Sequence, residues 1–227
     1  MPQQPVIGLI GAGLMGHGIG KNLLEKGFPL AVLGHRNRAP VEDLVNRGAV
    51  EARDVADLAR QAEVIILCVT GSTQVEDLFR RAGGLLDSAR PGFTVIDTST
   101  SEPTSTLKLA EALRLKGGEL VDAPLGRTPA EAEAGKLNTI VGAPPETLER
   151  LRPVFAAYCE NIFHAGGTGS GHRLKLINNF LVMGSVALVA EAFVAAKETD
   201  VDIAVLYKLL SAGPLASALL NNLIPKA

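Results

Sequence analysis

The chain has 227 residues, 47% of them hydrophobic, and a formal net charge of -2. It is long enough to bury a substantial core, and its balanced charge argues against a surface that binds nucleic acid. The two cysteines are far apart and the four histidines are scattered, so we expect no disulfide and no metal centre. Because no basic and apolar leader precedes residue 6, we expect a cytoplasmic protein whose partners are small molecules.

The first predicted element is a buried strand that ends in a glycine-rich turn. Residues 6–10 are mainly apolar, and Gly11, Gly13 and Gly16 follow with the spacing G-x-G-x-x-G. In a dinucleotide-binding fold these glycines permit a tight turn, close approach of the backbone to a pyrophosphate, and close helix packing. The alternative is a joint between strand and helix that binds no ligand. The predicted cofactor-binding residues of this turn, which we call the glycine turn, are Gly11, Gly13, Leu14, Met15 and Gly16.

A helix over 14–26 and a strand over 29–33 complete a β-α-β unit. The loop after that strand determines the choice between NAD and NADP. An acidic residue there binds the ribose hydroxyl of NAD, and a basic residue suits the 2′-phosphate of NADP. This loop contains no acid, and its residues are His35, Arg36, Asn37 and Arg38. We therefore predict NADP as the preferred cofactor, with NAD possible. The alternative is that these charges are only solvated loop residues.

Helical and strand patterns then alternate through most of the chain. The predicted helices are 41–47, 54–60, one from 74 onward, and 145–158, and the predicted strands are 64–69, 93–96, 119–121, 137–142 and 161–164. Such alternation predicts an α/β fold with a Rossmann-type, doubly wound, mostly parallel sheet. Ligands in these sheets bind beyond the carboxyl ends of strands, so Val69, Thr70, Ser99 and Thr100 are expected to line the cleft. The alternative for the hydroxyl-rich second loop is a helix cap before Pro103.

A glycine run at 166–171 indicates a domain boundary. We predict a dinucleotide-binding domain at 1–165, and a long helix over 171–197 that opens an all-α domain at 166–227. The most apolar part of that helix contains Ser185 and Glu191, so we expect it to pack against protein and not to span a membrane.

Three polar residues lie on one side of the predicted long helix. Lys175, Asn178 and Asn179 are spaced i, i+3 and i+4, among apolar residues where unpartnered polar groups are costly to bury. A lysine so placed can protonate a carbonyl oxygen during hydride transfer, and amides can hold a hydroxyl or a carboxylate. The alternative is an exposed helical face whose lysine extends into solvent.

Four motifs occur in order along the chain: the glycine turn, Asp97-Thr98-Ser99-Thr100, Asp122-Ala123-Pro124 with Gly135-Lys136-Leu137 and Val141-Gly142 downstream, and Gly169-x-Gly171-x-x-x-Lys175-x-x-Asn178-Asn179. Together they resemble the β-hydroxyacid dehydrogenase family, which includes 3-hydroxyisobutyrate dehydrogenases and semialdehyde reductases. The resemblance implies that Lys175 is catalytic and that Ser99 and Asn179 contact substrate. It also implies that Thr100 contacts the cofactor and that Val69 and Thr70 bracket the nicotinamide ribose.

One motif departs from the family. Where the family usually has Ser-Gly-Gly, this chain has Gly126-Arg127-Thr128, a form similar to that of sulfolactaldehyde reductases. The guanidinium of Arg127 could pair with a carboxylate or sulfonate, or it could merely cap the loop. His172 is expected to have no catalytic task. The predicted substrate-binding residues are Ser99, Gly126, Arg127, Thr128, Asn178 and Asn179.

Members of the family continue through further helices, so we expect the all-α domain to be incomplete in this chain. Apolar residues near its end, such as Leu209 and Leu215, would need cover, which favours a homo-oligomer. The sequence thus predicts hydride transfer between NADP(H) and a short β-hydroxyacid or its semialdehyde, with Lys175 as general acid and base. The alternatives are an imine reductase-like enzyme and a non-catalytic NADP(H)-binding protein. A third alternative, a 6-phosphogluconate dehydrogenase, is less well supported, because the chain is shorter than such an enzyme is expected to be.

Overall fold

The computed structural model describes residues 4–217 and 220–221, along which strands and helices alternate. The strands are β1 (Ile7–Ile10), β2 (Leu30–Leu33), β3 (Val50–Ala52), β4 (Val64–Leu67), β5 (Thr94–Asp97), β6 (Glu119–Asp122), β7 (Leu125–Gly126), β8 (Leu137–Gly142) and β9 (Cys159–Gly166). The helices are α1 (Gly16–Glu25), α2 (Ala39–Asn46), α3 (Val55–Gln61), α4 (Ser72–Arg80), α5 (Pro103–Arg114), α6 (Pro129–Glu133), α7 (Pro145–Tyr158), α8 (Ser170–Glu198) and α9 (Ile203–Ala212).

The strands form one sheet in the order β3-β2-β1-β4-β5-β6-β8-β7, with β9 paired to β8. The first six strands are parallel, whereas β8 runs antiparallel to β6 and β7. This arrangement confirms the predicted doubly wound α/β fold. The strand order reverses between β1 and β4, and a ligand crevice is expected beyond the carboxyl ends of strands at such a point.

Alternate side chains of the central strands enter two separate cores. On β4, Val64 and Ile66 belong to one buried cluster, whereas Ile65 and Leu67 belong to the other. Burying one such side chain stabilises a fold by about 1.5–3 kcal/mol. Both faces of the sheet are therefore covered, which explains why the strand sequences read as continuous apolar runs.

The structure differs from the predicted elements mainly at short segments. Strands β3 and β7 and helix α6 were not predicted, because β3 exposes two of its three residues and the other two elements have at most five residues. Helix α5 was predicted only through the alternative of a helix cap before Pro103. The predicted helix from residue 14 begins instead at Gly16, because residues 14 and 15 complete the glycine turn and the side chain of Leu14 is 80% exposed.

The chain divides into two compact units, residues 1–175 and 176–227, and the division falls within α8. The predicted boundary after residue 165 remains a prediction. By length and composition alone, α8 could cross a membrane, since an 18-residue window has a mean hydropathy of 1.8. Core helices of soluble proteins pass the same test but are mostly buried, whereas only 6% of this window is buried among the described residues. The expectation that α8 packs against protein therefore stays a prediction.

His17 joins three helices of the first unit. Its Nε2 lies 2.8 Å from Asp43 on α2, and its Nδ1 lies 2.6 Å from Glu133 on α6. Burial alone would lower the pKa of His17, but hydrogen bonds and charges of Glu133 and Asp43 outweigh it and raise the pKa above 6.5. The protonated imidazole therefore holds the two acidic side chains together.

We expect this cluster to make the folded state more stable in mild acid. Because the pKa of His17 is raised by folding, its stabilisation is complete below pH 6.5, the unfolded value, and is lost as pH rises through the folded value. Urea unfolding from about pH 5 to about pH 8 measures this loss. A His17→Gln variant should show a flatter profile over the same range, and an equal slope in both proteins would contradict the assignment.

Candidate active site

The glycine turn needs its glycines for different reasons. Gly11 has a φ of +100°, and a side chain there would collide with the carbonyl oxygen of Cys68. A side chain at Gly16 would collide with the carbonyl oxygen of Gly11. At Gly13, by contrast, an added Cβ would have no described atom within 4 Å. The fold therefore requires Gly11 and Gly16, whereas Gly13 leaves open space beside the backbone.

A cavity of about 420 Å³ lies at the carboxyl ends of β1, β2 and β4. It brings together six of the predicted cofactor-binding residues, which are Gly11, Gly13, His35, Asn37, Val69 and Thr70. The remaining predicted cofactor-binding residues do not line it, and these are Leu14, Met15, Gly16, Arg36 and Thr100. Helix α4 contributes Gln74, Asp77 and Leu78, and Arg81 follows its end; these residues were not predicted, because only the tertiary fold brings that helix to the cleft.

The two arginines of the loop after β2 have different surroundings. Arg38 donates to Glu51 through both terminal guanidinium nitrogens, with N–O distances of 2.6 and 2.8 Å. Arg36 is exposed and forms no hydrogen bond or ion pair with residues 4–217 or 220–221. Of the two, Arg36 is the one whose guanidinium is uncommitted.

Ser99 connects the loops that follow β4 and β5. Its hydroxyl oxygen accepts a hydrogen bond from the backbone N–H of Val69 at 3.2 Å, and its own N–H donates to Asp97 at 2.9 Å. The residue is only 3% exposed, whereas Thr100 beside it is exposed. Since its oxygen accepts from Val69, the hydroxyl hydrogen of Ser99 stays available as a donor.

Buried polar residues lie behind this loop at the carboxyl ends of β5 and β6. The carboxylate of Asp122 accepts hydrogen bonds from the backbone N–H groups of Gly169 at 2.6 Å and His172 at 2.8 Å. The imidazole of His172 lies 2.8 Å from the hydroxyl of Thr106 and 3.1 Å from the carbonyl oxygen of Ser99. Burial raises the pKa of Asp122, although these backbone hydrogen bonds oppose the shift.

Lys175 lies one helical turn after His172 in α8. Its side chain is half-buried, and this burial lowers the pKa of the amine below its usual 10.5. The amine forms no hydrogen bond or ion pair within the part of the chain that the structure describes. Asn178 and Asn179 follow in the same helix, on the side that carries Lys175.

Arg127 occupies a backbone position that glycine favours, with a φ of +78°. Its guanidinium donates to the carbonyl oxygen of Lys136 at 2.6 Å and to the carboxylate of Glu160 at 2.5 Å. Thr128 caps α6, and the carboxylate of Glu131 accepts a hydrogen bond from the backbone N–H of Thr128. Both side chains are thus engaged within their own loop, and substrate binding by Gly126, Arg127 and Thr128 remains a prediction.

Two protein-family models together match nearly the whole chain. A family model described as the NAD-binding domain of 6-phosphogluconate dehydrogenase matches residues 6–167. A second, described as NAD-binding of NADP-dependent 3-hydroxyisobutyrate dehydrogenase, matches residues 169–227. The chain is 37% identical to a 3-hydroxyisobutyrate dehydrogenase of Pseudomonas aeruginosa, over 90% of this chain and 68% of that protein. It is 36% identical, with the same coverage, to the 3-sulfolactaldehyde reductase of Escherichia coli.

Solved structures share the fold at lower identity. The 3-hydroxyisobutyrate dehydrogenase of Mycobacterium tuberculosis, determined with L-serine, superposes with a TM-score of 0.86 at 24% identity, over 95% of this chain and 73% of that chain. An imine reductase of Myxococcus stipitatus reaches a TM-score of 0.82 at 20% identity, over 92% of this chain and 72% of that chain, which is a likeness of fold alone. From the family models and the relatives above 30% identity, the chain belongs to the NAD(P)-dependent β-hydroxyacid dehydrogenases, a family of oxidoreductases that act on hydroxyacids.

Proposed function

We propose that this protein transfers a hydride between NADP(H) and a short semialdehyde or its β-hydroxyacid, with Lys175 as the general acid and base. The observation that carries the proposal is a half-buried amine with a lowered pKa, one helical turn from a buried polar cluster at the carboxyl edge of the sheet. Catalytic lysines need a pKa brought closer to the working pH, and burial supplies that shift.

The residues of the cleft fit a dinucleotide. Gly13 presents backbone with open space beside it, and the adjoining cavity of about 420 Å³ is lined by glycines, His35 and the loop of Val69 and Thr70. Nicotinamide cofactors supply the hydride when bound. In the reductive direction, Nζ of Lys175 would donate a proton to the carbonyl oxygen of the substrate. In the oxidative direction, the neutral amine would take that proton back from the hydroxyl group.

An acid group on the substrate would be held by Ser99, Asn178, Asn179 and the loop 126–128. Arg127 can join this set although Glu160 already binds it, because the pair is partly exposed to solvent and such ion pairs contribute only about 0–1 kcal/mol. A carboxylate or sulfonate that binds both guanidinium nitrogens can therefore compete with Glu160.

NADPH oxidation with a substrate panel tests the reaction class. The panel comprises glyoxylate, the succinic, methylmalonic and tartronic semialdehydes, sulfolactaldehyde, and cyclic imines as the test of the imine reductase alternative. We expect turnover of at least one semialdehyde and none of cyclic imines, since the imine reductase alternative does not account for Lys175. NADPH binding without turnover of any member would favour the non-catalytic alternative. The proposal also includes a cytoplasmic location. It further includes a homo-oligomer, because Leu209 and Leu215 are 68% and 61% exposed and would be covered by a second copy.

The preference for NADP is expected to depend on Arg36 more than on Arg38. Arg36→Ala should raise the Kd of NADPH about tenfold or more and leave that of NADH unchanged, because a hydrogen bond to a charged group contributes about 1.5–3 kcal/mol. Arg38→Ala is the matched control, since its guanidinium is bonded to Glu51. Fluorescence titration with both cofactors measures the four Kd values. Equal losses of NADPH and NADH affinity in Arg36→Ala would count against the phosphate contact.

A further inference from the structure

We propose that Asp122 and His172 are positioning residues, which hold the first turn of α8 and thereby the amine of Lys175 at the carboxyl edge of the sheet. The inference rests on the proposed function, because it concerns how Lys175 is placed. Neither residue has been assigned a task above, yet Asp122 and His172 are both 0% exposed. Burying such polar groups is costly unless they are bonded, so their partners indicate what they do.

The carboxylate of Asp122 fastens the end of β6 to the beginning of α8. Its two oxygens accept from the N–H groups of Gly169 and His172, at 2.6 and 2.8 Å. The first turn of a helix has N–H groups without helical partners, and a carboxylate there also interacts favourably with the helix dipole. The beginning of α8 is therefore fixed in height and in rotation relative to the sheet.

The space around this carboxylate is closed by glycines. A side chain at Gly142 of β8 would collide with the carboxylate of Asp122. A side chain at Gly171 of α8 would collide with the carbonyl oxygen of Ile140, and would also lie 2.9 Å from the Asp122 carboxylate. The two glycines therefore allow β8 and α8 to approach the Asp122 carboxylate closely, which a larger residue at either position would prevent.

His172 makes a second connection, from the same helical turn to the loop that carries Ser99. A carbonyl oxygen only accepts, so Nε2 of His172 donates to the carbonyl of Ser99 at 3.1 Å. Its Nδ1 is bonded to Thr106 of α5 at 2.8 Å, and the carboxylate of Asp97 lies 3.8 Å from Nε2. Because His172 and Lys175 are three residues apart, they lie on neighbouring positions of one helix face. The imidazole therefore ties the proposed proton donor to the proposed substrate loop.

A double-mutant cycle in the single-turnover rate constant of NADPH oxidation, measured with a semialdehyde that the protein reduces, tests this role. Asp122→Asn keeps the size of the side chain but leaves one acceptor oxygen, and we expect it to lower the rate about 10²-fold, as misplacement of a reacting group by about 1 Å does. NADPH affinity should stay within twofold of the wild-type value. In the Lys175→Ala background, the same change should lower the residual rate no further, because the group that it misplaces is gone.

If Asp122→Asn does not fold, His172→Gln takes its place in the same double-mutant cycle with Lys175→Ala. Thr147→Val is the matched control, since it removes a buried hydroxyl bonded to Glu119 at the opposite end of β6; it should lower stability and leave the rate unchanged. If Asp122→Asn and His172→Gln lower the rate equally in both backgrounds, the positioning role is overturned and the role of Lys175 stands. A fully active Lys175→Ala variant would overturn the proposed function itself.

Discussion

Lys175→Ala is expected to lower kcat for semialdehyde reduction by about 10²–10⁴-fold, the contribution typical of general acid catalysis. The Kd of NADPH should change little, because the predicted cofactor-binding residues belong to the glycine turn and the loops after β2, β4 and β5. Stopped-flow kinetics with a fluorescence titration of NADPH separates the two quantities. Lys197→Ala, in the last turn of the same helix, is the control and should react at the wild-type rate.

The pH dependence of the same reaction gives a second measure of Lys175. Burial lowers the pKa of this amine, so the protonated form is lost at a lower pH than for an ordinary lysine. Reduction needs the protonated amine and should slow as pH rises through that pKa, whereas oxidation needs the neutral amine and should accelerate. If the rates of reduction and oxidation both rose or both fell as pH increased, another group would supply the proton.

Alanine substitutions in the glycine turn should separate folding from cofactor binding. Gly11→Ala places a side chain in the left-handed region and against the backbone of Cys68, and we expect it to destabilise the fold by about 1–3 kcal/mol from backbone strain alone. Gly13→Ala places its Cβ more than 4 Å from the rest of the described structure and should unfold at the wild-type urea concentration. If a pyrophosphate lies against this backbone, Gly13→Ala should still weaken NADPH binding by about tenfold or more, since hydrogen bonds to a charged ligand contribute about 1.5–3 kcal/mol.

Equilibrium unfolding and NADPH titration of both variants complete the comparison, with Gly48→Ala as a control. Gly48 lies outside the cleft and has a φ of +108° with open space around it, so it reports backbone strain alone. Equal NADPH affinities in Gly13→Ala and the wild type would mean that no phosphate approaches residue 13.

Much of the fold could be predicted because its determinants are local. The run Val64–Leu67 is apolar at every position, and a strand buried on both faces has no other pattern. The spacing of Gly11, Gly13 and Gly16 likewise reports a backbone geometry that only adjacent residues set. Short elements such as β3 were missed because two of its residues are exposed and leave no periodic pattern.

The polar connections of the candidate site could not be predicted, because their partners are distant in sequence. Asp122 bonds to a backbone group 50 residues later, and His172 contacts a carbonyl 73 residues earlier. The sequence analysis assigned His172 no catalytic task, and the structure shows that its ring is wholly occupied by partners on other elements. Arg38 is a similar case, since Glu51 reaches it only when β2 and β3 pair.

The close packing of the backbone around the Asp122 carboxylate limits which substitutions the neighbouring positions can accept. An acid at position 122 requires the absence of a side chain at 142, whereas a side chain at 171 is excluded mainly by the backbone carbonyl of Ile140. No single substitution can enlarge either glycine position while the carboxylate keeps its place. We therefore expect positions 122 and 142 to co-vary among homologous sequences, so that a relative with a bulkier residue at 142 begins its long helix with a different anchor.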